Sequence, residues 1–147
     1  MKKEKYTRAA NILFDYRKNK KRLDNLPIDC TPNNIEEAYE IQEELKIKYL
    51  TLKNNNLIGK KVGCTNEWAQ KQINVEEPFY GNLFSKYSSV SGCDLLSNNF
   101  SEPYMEPEFS FRIKEDINIA NAPFTFDQIK DLTDTVMASV EIVDFRF

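Results

Sequence analysis

The stretch from Tyr104 to Ile113 constrains the fold more than any other part of the chain. Met105, Phe109, Phe111 and Ile113 alternate with Glu106, Glu108, Ser110 and Arg112. A period of two is the signature of a β-strand with one apolar and one polar face. Glu106 and Glu108 therefore share a face. Like charges side by side cost free energy unless something cationic lies between them. A divalent cation held through oxygen ligands is one reason for such a pair. A solvated face on an edge strand, where Pro107 is at home, is the other.

A chain of 147 residues with 41% hydrophobic content is long and apolar enough for one domain with a core. Its net charge of −3 gives no overall drive toward nucleic acid or an anionic membrane. No apolar run is long enough to span a bilayer. The basic start, MKKEKYTR, lacks the apolar segment of a signal peptide. Cys30, Cys64 and Cys93 form no CxxC pair, so reduced thiols in a cytoplasmic setting are expected. Histidine is absent. That excludes Ser-His and Cys-His nucleophiles and His-based zinc sites within this chain. A metal here would need oxygen ligands, which favours magnesium or manganese over zinc.

Helical spacing of Tyr6, Ala9, Ala10, Leu13 and Phe14 predicts a helix over residues 3–22. Its basic tail, Arg17 to Arg22, suits the helix dipole and is a weak nucleic-acid signal in an acidic chain. Asn33 or Asn34 caps a second helix predicted from Ile35 to Leu52. A short strand is expected over Leu57–Thr65. Its two glycines, Gly59 and Gly63, mark a bulge or a close backbone approach, and a lysine between them is placed to enter a site or to lie on the surface. A short helix follows over Asn66–Ile73. An aromatic turn at Pro78–Phe84 then leads into a strand, and a two-turn helix is expected over Asp127–Thr135. Met137–Phe147 reads as a buried strand with Glu141, Asp144 and Arg146 embedded in it. Lone buried charges are costly unless paired or metal-bound. The sequence stops at Phe147 within this apolar strand, so we expect the first part of something longer.

Five segments taken in order resemble a known family. They are Ala38-Tyr39-Glu40-Ile41-Gln42, Gly59-Lys60-Lys61-Val62-Gly63-Cys64-Thr65, Pro78-Phe79-Tyr80-Gly81-Asn82-Leu83, Glu106-Pro107-Glu108 and Val140-Glu141-Ile142-Val143-Asp144-Phe145-Arg146. Together they resemble the 2-keto-4-pentenoate hydratase and 4-oxalocrotonate decarboxylase group of the fumarylacetoacetate hydrolase superfamily. The resemblance implies an α+β fold. An N-terminal helical region, residues 1–57, would lead into the first part of a rolled, mixed β-sheet core, residues 58–147, incomplete at its C-terminus. It places the metal carboxylates on Glu106, Glu108 and Glu141, with Asp144 as another candidate for the third, and names Mg2+ or Mn2+ as the ion. It places the active-site lysine on Lys61, either to hold the substrate carboxylate or to relay a proton.

The activity so implied is that of a metal-dependent hydratase, a lyase acting on a 2-hydroxydienoate or 2-oxo acid of the 2-keto-4-pentenoate type. Decarboxylation of the 4-oxalocrotonate type is the alternative. Phe79 stands where hydratases of the group carry an aspartate, which is nearer the decarboxylase pattern. A further alternative is an inactive truncated remnant acting as a partner subunit. The expected partner is the small 2-oxo acid substrate, with no nucleic acid and no membrane, and a homo-oligomer is compatible with it.

Overall fold

The computed structural model describes residues 2–146. The architecture is α+β, as expected. Among the described residues there are four α-helices and four β-strands, the strands paired into two antiparallel ribbons. The described residues divide into two compact units, residues 2–101 with 146, and residues 102–145. No helix among the described residues is long and apolar enough to cross a membrane.

The first unit begins with α1 (Lys2–Lys18) and α2 (Ile35–Leu50). The helix pair meets on Tyr6, Ala9, Ala10 and Ile41, with Cys30 from the connector buried among them. Ala9 and Ala10 are fully buried, and their small side chains let the backbones approach closely. Lys5 and Glu37 form an ion pair across the helices at 2.7 Å, and Thr7 donates to Glu44 at 2.9 Å. Asn34 caps α2, its side chain accepting the Glu37 amide at 2.9 Å. α1 stops at Lys18, short of the expected end, so the rest of the basic run lies beyond the helix. Within that run Arg17 sits 4.6 Å from the Tyr87 ring, and Lys20 donates to Asn99 at 2.8 Å.

β1 (Leu57–Gly63) pairs antiparallel with β2 (Phe79–Phe84), and α3 (Glu67–Ile73) connects them. The Pro78–Phe84 segment is thus strand from Phe79 on, not a turn. Of the two expected uses of glycine in β1, the bulge-like irregularity occurs, and what approaches the other glycine is a ring and not a backbone. A register shift lies between Leu57 and Gly59. At Gly63 the Phe79 ring lies so close that a Cβ would come within 3.0 Å of it. The ribbon is tied to α2 by a stack of Tyr39 on Tyr80, centroids 4.5 Å apart, and by Gln42 donating to the Tyr80 carbonyl at 2.9 Å.

The second unit is a long ribbon of β3 (Pro103–Ile113) and β4 (Thr133–Asp144), with α4 (Phe126–Leu132) running directly into β4. The expected helix over Asp127–Thr135 therefore ends early, because Thr133 and Thr135 already pair in the ribbon. The expectation of a buried strand over Met137–Phe147 is corrected: Met137 is 41% exposed, Val140 61% and Phe145 48%. A run of apolar residues reads as buried only if layers cover both faces, and a two-stranded ribbon does not supply them by itself.

Candidate metal centre

Register decides which side chains meet on the second ribbon. Glu106 pairs directly with Glu141, and Glu108 with Ser139. Residues paired across an antiparallel ladder point to the same face, as do residues two apart. Glu106, Glu108 and Glu141 consequently share one face. Each offers a carboxylate oxygen, and these oxygens lie within 4.8 Å of one another. Glu106 and Glu108 are exposed and Glu141 is half-buried. The opposite face carries Met105, Phe109, Phe111, Ile142, Val140 and Val136, so the alternation read from the sequence holds on β3, whereas on β4 Met137 and Val143 share the carboxylate face.

Polar groups continue along the carboxylate face. Ser110 and Ser139 are hydrogen-bonded through their hydroxyls at 2.7 Å. Farther on, Arg112 is engaged by Asp134 and donates to the Thr135 hydroxyl at 2.9 Å. The hydrogen bond from Arg112 holds the Asp134 carboxyl below the usual carboxylate range. Asp144, the other candidate for the third ligand, is not in the cluster. It falls on the opposite face of β4, where its Oδ1 accepts the Glu102 amide at 2.8 Å. An odd offset of three residues from Glu141 along a strand makes that placement unavoidable.

Lys61 belongs to the first unit, on β1 opposite Gly81. Gly59 and Gly63 flank it on the same strand face, where Leu83 and Phe79 reach over them from β2. A Cβ at Gly81 would lie 3.5 Å from the Lys61 Cγ, which places the lysine stem over the glycine. The two lysines between the glycines part company here. Lys60, exposed on the other face, bonds Asn82 and lies 4.9 Å from the Tyr80 ring centre, whereas Lys61 lies on the half-buried face. Phe79 offers no acid or base at its position and instead covers Gly63.

The sequence reading missed Ser139. Its hydroxyl stands opposite Glu108 and beside Glu141, and only the pairing of two strands some thirty residues apart reveals this. It also missed the buried Gln42 Oε1, which has no hydrogen-bond partner. The Gln42 signal was its place in the Ala38–Gln42 motif, where Tyr39 and Gln42 both reach the backbone of Tyr80.

No family model matches the chain. It is 26% identical over 144 residues to the 2-oxo-hept-4-ene-1,7-dioate hydratase of Escherichia coli, covering 98% of this chain and 53% of the relative. With the 2-keto-4-pentenoate hydratase of Paraburkholderia xenovorans it shares 26% identity over 94% of this chain and 50% of the relative. With the 4-oxalocrotonate decarboxylase of a Pseudomonas species the figures are 29%, 76% and 41%. A solved 4-oxalocrotonate decarboxylase from Pseudomonas putida, complexed with magnesium and adipate, superposes with a TM-score of 0.88 at 23% identity, over 98% of this chain and 54% of that one. A second structure of that enzyme, with calcium and acetate, gives a TM-score of 0.87. The chain thus spans about half the length of the curated relatives it matches. Over that span it is related in sequence to the 2-keto-4-pentenoate hydratases and 4-oxalocrotonate decarboxylases, and it shares its fold with a member of that group.

Proposed function

We propose that this chain carries the metal-binding part of a divalent-cation-dependent hydratase, a lyase acting on a 2-hydroxydienoate or 2-oxo acid of the 2-keto-4-pentenoate type. The observation that carries the reading is the convergence of Glu106, Glu108 and Glu141 on one face of the β3–β4 ribbon. The donor set fits the ion. Three carboxylates are hard oxygen ligands, which suit magnesium or manganese and leave positions open for water or substrate. Repulsion among three nearby carboxylates is relieved by a shared cation. The magnesium and calcium in the solved decarboxylase agree with a cation of this class.

In this reading Glu106 and Glu108 hold the ion from β3 and Glu141 holds it from β4. The chemistry that a bound cation supplies is Lewis-acid stabilisation of negative charge on the substrate 2-oxygen. Lys61 holds the substrate carboxylate or passes a proton, its stem lying over Gly81 on the half-buried face of β1. The fold that goes with this reading is the rolled β-core that the family resemblance implies, and its setting is the cytoplasm. One observation favours the second reading, decarboxylation: Phe79 places an apolar ring over Gly63 and supplies no acid or base for water addition.

Manganese titration followed by electron paramagnetic resonance tests the proposal. Wild-type protein should bind Mn2+, and Glu106→Gln should bind it at least about tenfold more weakly, since even outer partners of a metal site are worth that much. Equal affinity in both would remove Glu106 from the site and, with it, the observation on which the function rests.

A further inference from the structure

We propose that the Ser139 hydroxyl, held in place by Ser110, closes the fourth corner of the carboxylate cluster and orients the water or substrate oxygen in an open position of the bound cation. The inference rests on the metal reading above and adds a positioning residue to it. Two successive cross-strand pairs, Glu106 with Glu141 and Glu108 with Ser139, form a quartet on one face of the ribbon. Carboxylates occupy three corners and a neutral hydroxyl the fourth. A fourth carboxylate would add repulsion and charge, whereas an apolar group would leave that side with no hydrogen-bonding partner.

Ser139 is held from behind. Ser110, two residues beyond Glu108 on β3, lies diagonal to it, and their hydroxyl oxygens are 2.7 Å apart with both residues half-buried. The other contact of the Ser139 hydroxyl, with the Glu108 carbonyl, is long at 3.4 Å and contributes little. Two hydroxyls carry two donors and four acceptor lone pairs, and their mutual bond consumes one of each. Acceptor capacity therefore remains next to the carboxylates. A cation-bound water is a strong donor, and its protons need acceptors other than the oxygens already spent on the metal. Magnesium and manganese retain such waters when carboxylates fill only part of their coordination shell.

Mn2+ affinity of the whole chain, measured for Ser139→Ala, Ser139→Thr, Ser110→Ala and Glu106→Gln, tests this. Water-proton relaxation by the bound Mn2+ should be recorded on the same samples. Ser139→Ala should raise the Mn2+ Kd by about tenfold, the lower range for outer-shell partners of a metal, and change the exchange of Mn2+-bound water. Ser139→Thr, which restores the hydroxyl, should stay near wild type, and Ser110→Ala should show a smaller rise. If Ser139→Ala binds and relaxes as wild type while Glu106→Gln binds weakly, the serine pair merely pins two strands and the assignment is overturned. Equal weakening by Ala and Thr overturns it too, since that marks a packing effect. If Glu106→Gln also binds as wild type, it is the metal reading that falls. Should Ser139→Ala fail to fold, Ser110→Ala decides, and unchanged affinity there overturns the proposal.

Discussion

Glu37 accepts hydrogen bonds from the Lys5 ammonium at 2.7 Å and from the Asn33 backbone and side-chain nitrogens at 3.0 and 2.9 Å. The bond from Lys5, followed by that from the Asn33 amide, holds its carboxyl down at about 2. The pKa is lower in the folded chain, so the charged form is the one that folding favours. The stabilisation is therefore fully present above the ordinary carboxylate range, declines as pH falls from about 4.5 toward 2, and is gone below that. Thermal melts of wild type and Glu37→Gln should differ by a few degrees at pH 6 and converge near pH 2. A difference that does not change with pH would mean the bonds are local packing and not a charge effect. At this scale the sequence was most legible where the chemistry is local. The Asn34 cap and the shared face of Glu106 and Glu108 depend on residues within four positions of each other. Ser139 was invisible because its meaning comes from Glu108 and Ser110 on another strand.

Asn55 ties two parts of the chain together with one side chain. It is 5% exposed, its Nδ2 donates to the Tyr49 carbonyl at 2.8 Å, and its Oδ1 accepts the Lys86 amide at 3.0 Å. One bond satisfies an end of α2 and the other fixes the chain just after β2, beside the packed rings of Tyr49 and Phe84, 4.9 Å apart. Truncation to alanine takes the Asn55 partner from the Lys86 amide, while the Tyr49 carbonyl keeps the Leu52 amide at 3.1 Å, and leaving one such group unsatisfied costs about 1–3 kcal/mol. Asn55→Ala should lower the urea midpoint by a corresponding amount at unchanged slope, and a change below about 0.5 kcal/mol, the range of ordinary surface substitutions, would show that water replaces both bonds. Element types were read correctly for α1, α2 and β3, where periodicity runs long enough to settle the matter, and for β1 from its bracketing glycines. The errors lie where two periodicities meet. Thr133 and Thr135 could end a helix or open a strand, and the ladder opposite Ile113 and Arg112 decides for the strand. Burial of β4 was misread for a related reason: Val140 and Ile142 announce an apolar face, while what covers a face is a property of other segments.

The division of the whole chain into two units gives the metal reading a consequence that no single residue shows. All three carboxylates belong to residues 102–145, two on β3 and one on β4. A cation bound by them is held only while the two strands are paired, so binding selects against every opening that separates them. At a free Mn2+ concentration about a hundredfold above Kd, linkage adds about 2.7 kcal/mol to such openings, which is about a hundredfold slower amide exchange. β1 and β2 contribute no carboxylate to the cluster, so their amides carry no such linkage. Hydrogen exchange followed by mass spectrometry, with and without Mn2+, should therefore show slowing confined to peptides covering Pro103–Ile113 and Thr133–Asp144. Equal slowing across Leu57–Phe84 would mean that both ribbons open in one cooperative step, because linkage is transmitted only through shared unfolding. Slowing nowhere, at a concentration that saturates the titration, would place the cation outside the β3–β4 ribbon and take Glu141 out of the site along with Glu106 and Glu108.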